Sequence, residues 1–135
     1  METSVSMLER LAGAPTDADW RRLDELYRPL LRDWIGRAGV PESDVDDLVQ
    51  DVLVVVIREI AEFERHRAGA FRAWLRTILA NRVRNFFRGQ KYPPTPTGDS
   101  DFQNRLDELQ SPESALSKLW DREHDRHVEI GRAHV

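Results

Sequence analysis

Apolar residues recur at intervals of three and four along most of the chain and nowhere alternate over a strand length, which predicts an all-α fold. Met7, Leu8 and Leu11 suggest a short lead-in helix stopped by "GAP" at Gly13 to Pro15. Thr16 or Asp17 then caps a helix whose stripe is Trp20, Leu23, Tyr27, Leu30, Leu31 and Trp34, closing near Gly36 to Gly39. Pro29 falls inside that stripe and predicts a kink or a local break. The next helix starts after Pro41, with Ser43 or Asp44 as cap, and runs to about Phe63. "RHRAGA" is a connection, and a further helix takes up Phe71 to about Gln90. "YPPTPTGDS" has linker composition, and Ser114 to Val128 forms one more, highly charged helix. The expected architecture is a small helical bundle of three to four helices, with a lead-in at 1–15, a domain at 16–91, a Pro-rich linker at 92–113 and a partial charged helix at 114–128.

Length and composition narrow this picture. A chain of 135 residues, 40% of them hydrophobic, has room for one domain and a modest core. Zero Cys excludes a disulfide framework and thiolate metal sites. No apolar run approaches the roughly 18 residues of a membrane span and no signal peptide is visible, so the expected location is the cytoplasm, away from any membrane. The closing "EIGRAHV", residues 129–135, matches the translation of a common sequencing adapter, and its last six residues are expected to be foreign to the natural gene.

Charge changes the picture more. The net charge is only -4, yet residues 40–64 carry eight acids against Arg58 alone, and residues 65–91 carry eight cations with no Asp or Glu. A chain divided in this way predicts two surfaces, one of them for a polyanion. At 100° per residue, Val45, Leu48, Val49, Val52, Val56, Ile60 and Phe63 form the inner face of the acidic helix. Asp46, Asp47, Gln50, Asp51, Val54 and Ile57 point outward. A solvated face is the plain explanation, but aliphatics set among carboxylates suit a basic partner helix.

In the basic helix Phe71, Trp74, Leu75, Ile78, Leu79 and Phe86 form the inner stripe. Thr77, Asn81, Arg84 and Arg88 line another face at spacings of four, three and four. Every member of that second stripe can donate a hydrogen bond, and Arg matches phosphate or a guanine edge, so nucleic acid fits better than a small molecule.

Enzyme chemistry finds little support. His124 and His127 have a spacing that could hold a metal, but no third strong ligand lies nearby and a solvated charged helix is the favoured reading. No phosphate loop, nucleophile elbow or zinc motif occurs, so neither catalysis nor a cofactor is expected.

Three blocks, "LYRPLLRDWIGRAG", "DVDDLVQDVLVVVIREIAEFE" and "GAFRAWLRTILANRVRNFFR", resemble in order and separation region two of a bacterial RNA polymerase sigma factor of the extracytoplasmic-function type. The second block carries the acid-Leu-Val-Gln-acid core at Asp47 to Asp51; the third carries Phe71, Arg72, Trp74, Leu75, Ile78 and Asn81 of the family pattern. The resemblance covers roughly residues 16–91 and implies a transcription initiation factor. Asp46, Asp47, Gln50, Asp51 and Val54 would dock on the β′ clamp coiled-coil of core RNA polymerase. Arg65, His66, Arg67 and Phe71 would lie near the melted non-template strand of the promoter minus-ten element, Asn81, Arg84, Asn85 and Arg88 would face its duplex edge, and Arg72, Arg76 and Thr77 would belong to the same DNA-binding surface. It also allows an anti-sigma factor as a partner, and implies a second helical domain, region four, that this sequence does not reach. A helical protein–protein adaptor with a basic partner-binding helix is the alternative, and a nonspecific RNA-binding bundle a third.

Overall fold

The computed structural model describes Gly13 and residues 16–60, 70–89, 108–109 and 111–133, with side chains as far as Glu129. The expected lead-in helix, the "RHRAGA" connection and most of the linker lie outside the described residues. Within the described residues four helices follow one another: α1 (Asp17–Arg37), α2 (Glu42–Glu59), α3 (Ala70–Arg88) and α4 (Ala115–Ala133). Among the described residues there is no strand, and the fold is the all-α bundle expected.

The start of α1 is a reciprocal cap. The Thr16 hydroxyl accepts from the Asp19 amide at 3.2 Å while the Asp19 carboxylate accepts from the Thr16 amide at 2.9 Å, satisfying two donors that the first turn leaves over. The helix then runs through Pro29 without interruption. Pro29 is exposed, so the carbonyl four residues earlier, left without a donor by the proline, faces water instead of the core. At the other end Gly39 takes φ 92°, a left-handed turn open to glycine, and donates to the Gly36 carbonyl at 3.0 Å.

For α2 neither Ser43 nor Asp44 is the cap. Pro41 occupies that position without a side-chain bond, its carbonyl accepting from Asp44 N at 2.8 Å, and Glu42 and Asp44 place negative charge on the positive end of the helix dipole. The inner face of α2 is the stripe the periodicity picks out: Val45, Leu48, Val49, Val52, Val56 and Ile60 are all buried, joined by Leu53. Phe63 lies outside the described residues.

The core sits between α1, α2 and α3, and α4 closes it on the side of α1 and α3. From α4 come Leu116, Trp120, His124 and Val128, one per turn and all buried. Trp120 stands edge-on to Trp34 of α1, with ring centroids 5.1 Å apart, and its indole Nε1 donates to the main-chain carbonyl of Arg72 in α3 at 2.8 Å. A charged-looking segment thus supplies the lid of the core.

Candidate functional site

On α2 the outer face matches the sequence expectation residue for residue. Asp46, Asp47, Gln50, Asp51, Val54 and Ile57 are all exposed, and the two aliphatics, at 36% and 42%, are the exposed large hydrophobics of the described residues. Beside Ile57 a groove of about 240 Å³ runs between α1 and α2, floored by Trp20, Leu23 and Leu53 and rimmed by Asp17, Asp24 and Gln50. The sequence places Trp20 and Leu23 on the α1 stripe and Asp17 at its start, but helical period does not show that Trp20 lies at the edge of the core, open to this groove.

The acids of this face divide into two kinds. Asp46 is bridged by Arg32, and Arg28 approaches it at 3.5 Å. Arg32 also holds Glu42 at 2.6 Å, and Arg28 donates to Gln50 at 3.1 Å and to Asp24 at 2.7 Å. The hydrogen bonds to Asp24 and to Asp46 raise the pKa of Arg28 and Arg32 respectively, so both stay charged. Asp47 and Asp51 show no such bridge among the described residues and are exposed next to Val54.

The basic helix is not laid out as uniformly as its sequence suggests. Thr77, Asn81, Arg84 and Arg88 share an arc of about 60° on the continuous helix. Asn81, Asn85 and Arg88 are exposed and Arg84 is half-buried; the Thr77 hydroxyl donates back to the Ala73 carbonyl at 3.1 Å. Arg65, His66 and Arg67 lie outside the described residues.

Three residues expected at the nucleic acid are placed elsewhere. Phe71 is 1% exposed and packs against Tyr27 and Trp74, with centroids 5.7 and 5.9 Å away; its place on the inner stripe makes it a core residue. Arg76 is 4% exposed, and its Nε donates to the Leu109 carbonyl at 2.8 Å while Asp121 lies 3.7 Å from its Nη1. Burial pulls its pKa down, an effect that Asp121 opposes. Arg72 faces Asp121 at 3.4 Å and Asp125 at 2.5 Å. Both arginines turn toward α4, roughly 130° round the axis from the Thr77–Arg88 stripe. Trp74, half-buried, forms the edge of the core.

The histidines are not on a solvated face. His124 is fully buried, its Nε2 2.8 Å from the Tyr27 hydroxyl and its Nδ1 3.1 Å from Asp125. Burial holds its pKa below the usual 6.5, partly offset by Asp125. His127 Nε2 meets the Leu26 carbonyl. With both rings committed to α1, neither is placed as a ligand, and among the described residues no three metal-binding side chains gather. Nor is any described helix long and apolar enough to cross a membrane.

The Sigma-70 region 2 family matches residues 23–92, a little over half of the chain, covering most of α1 and all of α2 and α3. RNA polymerase sigma factor CnrH of Cupriavidus metallidurans is 44% identical over 50 residues, which are 37% of this chain and 25% of that protein. RNA polymerase sigma factor NccH of Alcaligenes xylosoxydans xylosoxydans is 42% identical over 50 residues, again 37% of this chain and 26% of that protein. The matched stretch therefore spans about a quarter of the length of each of these relatives. No solved structure gives a significant match.

Proposed function

We propose, from the premise that the chain belongs to the Sigma-70 region 2 family, that it is the part of a transcription initiation factor that binds core RNA polymerase through α2 and the promoter minus-ten element through α3. The observation that carries this is the pairing of two outward faces of opposite character on adjacent helices. One bears Asp47 and Asp51 beside bare Val54 and Ile57, and the other bears Asn81, Asn85 and Arg88.

The α2 face suits a basic helix such as the clamp coiled-coil of the β′ subunit. Its aliphatics are desolvated on contact while its carboxylates meet cations at the rim, giving both affinity and register. Asp46 and Gln50 take part less directly, because Arg28 and Arg32 already engage them.

The α3 stripe suits DNA. Arg84 and Arg88 neutralise phosphates, and Asn81 and Asn85 offer paired donor and acceptor groups to base edges. A partner that prefers the separated strand shifts the duplex toward opening by its differential affinity, so the work is capture instead of bond chemistry.

Binding of the purified chain to a β′ clamp coiled-coil fragment, and to single-stranded minus-ten DNA across a salt series, tests the proposal. The expected result is clamp binding that Asp51→Arg removes, together with DNA binding that weakens steeply with salt. A helical adaptor would do neither, and a general RNA binder would ignore both promoter sequence and polymerase.

A further inference from the structure

Arg72 and Arg76 are two of the three cations of α3 before Arg84, yet while α4 is docked Arg76 is buried and Arg72, about a quarter exposed, is turned toward α4. What α4 presents to them is unusual for a packing helix. Asp121 and Asp125 are one turn apart, about 6 Å along the axis, and both address Arg72, while Asp121 also approaches Arg76. Two negative groups at that separation have the layout of successive phosphates on an unstacked strand. The fit is incomplete as well, since Asp121 Oδ1 is buried without a hydrogen bond and lies 3.4 and 3.7 Å from the two guanidinium groups. An acid that loses water and gains only long contacts returns little of its desolvation cost.

Resting on the nucleic-acid role assigned to α3, we propose that Arg72 and Arg76 form a second phosphate-binding patch, and that α4 covers it as an internal acidic competitor. Docked α4 and phosphate contact at this patch are mutually exclusive. Arg76 cannot reach a strand while it is sealed beneath Leu109 and α4, and Arg72, though partly exposed, has its guanidinium taken up by Asp121 and Asp125. The exchange is electrostatically matched: two carboxylates leave and two phosphates arrive. The apolar cost of lifting Trp120 and Val128 keeps α4 down when no polyanion is present. The connection between α3 and α4 contains the "YPPTPTGDS" stretch, long enough by sequence to let α4 move without unfolding α3.

The test uses the full chain. Asp121→Asn with Asp125→Asn keeps side-chain shape and removes the competitor; Glu113→Gln with Glu129→Gln, two exposed acids of the same region, is the charge-matched control. Binding of a labelled single-stranded DNA is followed by fluorescence anisotropy across salt, and circular dichroism verifies the fold of each variant. The Asn pair is expected to bind more tightly and with a salt slope steeper by roughly 1.4, two further phosphates at about 0.7 each. The Gln pair should leave the slope unchanged. Adding Arg72→Gln to the Asn pair should return about half of the increase in slope. In the unaltered chain, hydrogen exchange over α4 should speed up when DNA is added while α3 slows.

A slope for the Asn pair equal to that of the Gln pair, or α4 amides that stay protected in the complex, overturns the competition and leaves the α3 stripe as the whole DNA surface. Absence of DNA binding in every variant at low salt overturns the assigned role of α3 itself.

Discussion

The outward face of α2 and the basic helix α3 carry charge of opposite sign at similar density in the sequence, but they use it differently. On α2 the inner face is wholly aliphatic and the outer carboxylates are exposed; among the described residues, arginines of α1 reach Glu42, Asp46 and Gln50 in its first half. On α3 the amino-terminal cations are drawn inward by α4, and only the carboxy-terminal half presents its polar groups to solvent. Charge counted along a segment thus measures what is available on α2 and overstates it on α3. The deciding quantity is whether a third element brings opposite charge to the same side of the helix.

The largest effect that separates the two regions concerns stability. Trp120→Ala removes the ring that α4 lays on Trp34 and is expected to cost about 3–5 kcal/mol, whereas Val54→Ala on the α2 face should change stability by less than about 0.5 kcal/mol. Urea denaturation of both variants checks this contrast, and equal losses would mean that α4 is not part of the core.

Next in size is partner binding within the α2 face. Asp51→Arg is expected to weaken clamp binding on the order of 100-fold, as like charge meets the partner's cations, while Asp46→Asn should change it by no more than about threefold. Isothermal titration measures both. A large loss at Asp46 would show that the bridge to Arg32 opens on docking.

A smaller effect is the acid sensitivity of the α4 seat. Because burial depresses the His124 pKa, the unfolded chain takes up the proton first as pH falls. The stabilising contribution is therefore full above 6.5, the ordinary histidine value, and is lost on going below it. The melting temperature should drop between about pH 7 and 5.5, and His124→Gln, which can still meet the Tyr27 hydroxyl, should flatten that part of the curve. The smallest effect is expected from Arg88→Gln: a salt slope lower by about 0.7 with single-stranded DNA and unchanged stability.

How much of this could be read from residues alone follows the same division. The α2 stripe was legible because helical period decides which side is inner, and both of its neighbours lie close in sequence. The start of α1 was legible only as Thr16 or Asp17, and the reciprocal bond with Asp19 is what selects Thr16. Arg76 was not, since its acceptor, the Leu109 carbonyl, is 33 positions away and carries no side-chain signature. His124 was misjudged because acids and arginines surround it locally. Leu116, Trp120, His124 and Val128, each four apart, were the available signal, masked by a single polar member in an otherwise apolar row. Phe71 showed the reverse: a residue placed on the inner stripe by period and at the DNA by resemblance follows period.

Two of the hydrogen bonds between α3 and the segment that covers it end on peptide carbonyls, those of Arg72 and Leu109. An acceptor supplied by the main chain is present whatever residue occupies the position, so mutational drift at Leu109 toward another aliphatic would pass unnoticed by this attachment. The donors Trp120 and Arg76 have no such freedom. Descendants of this gene that keep the attachment should hold those two positions fixed while the positions they grip wander.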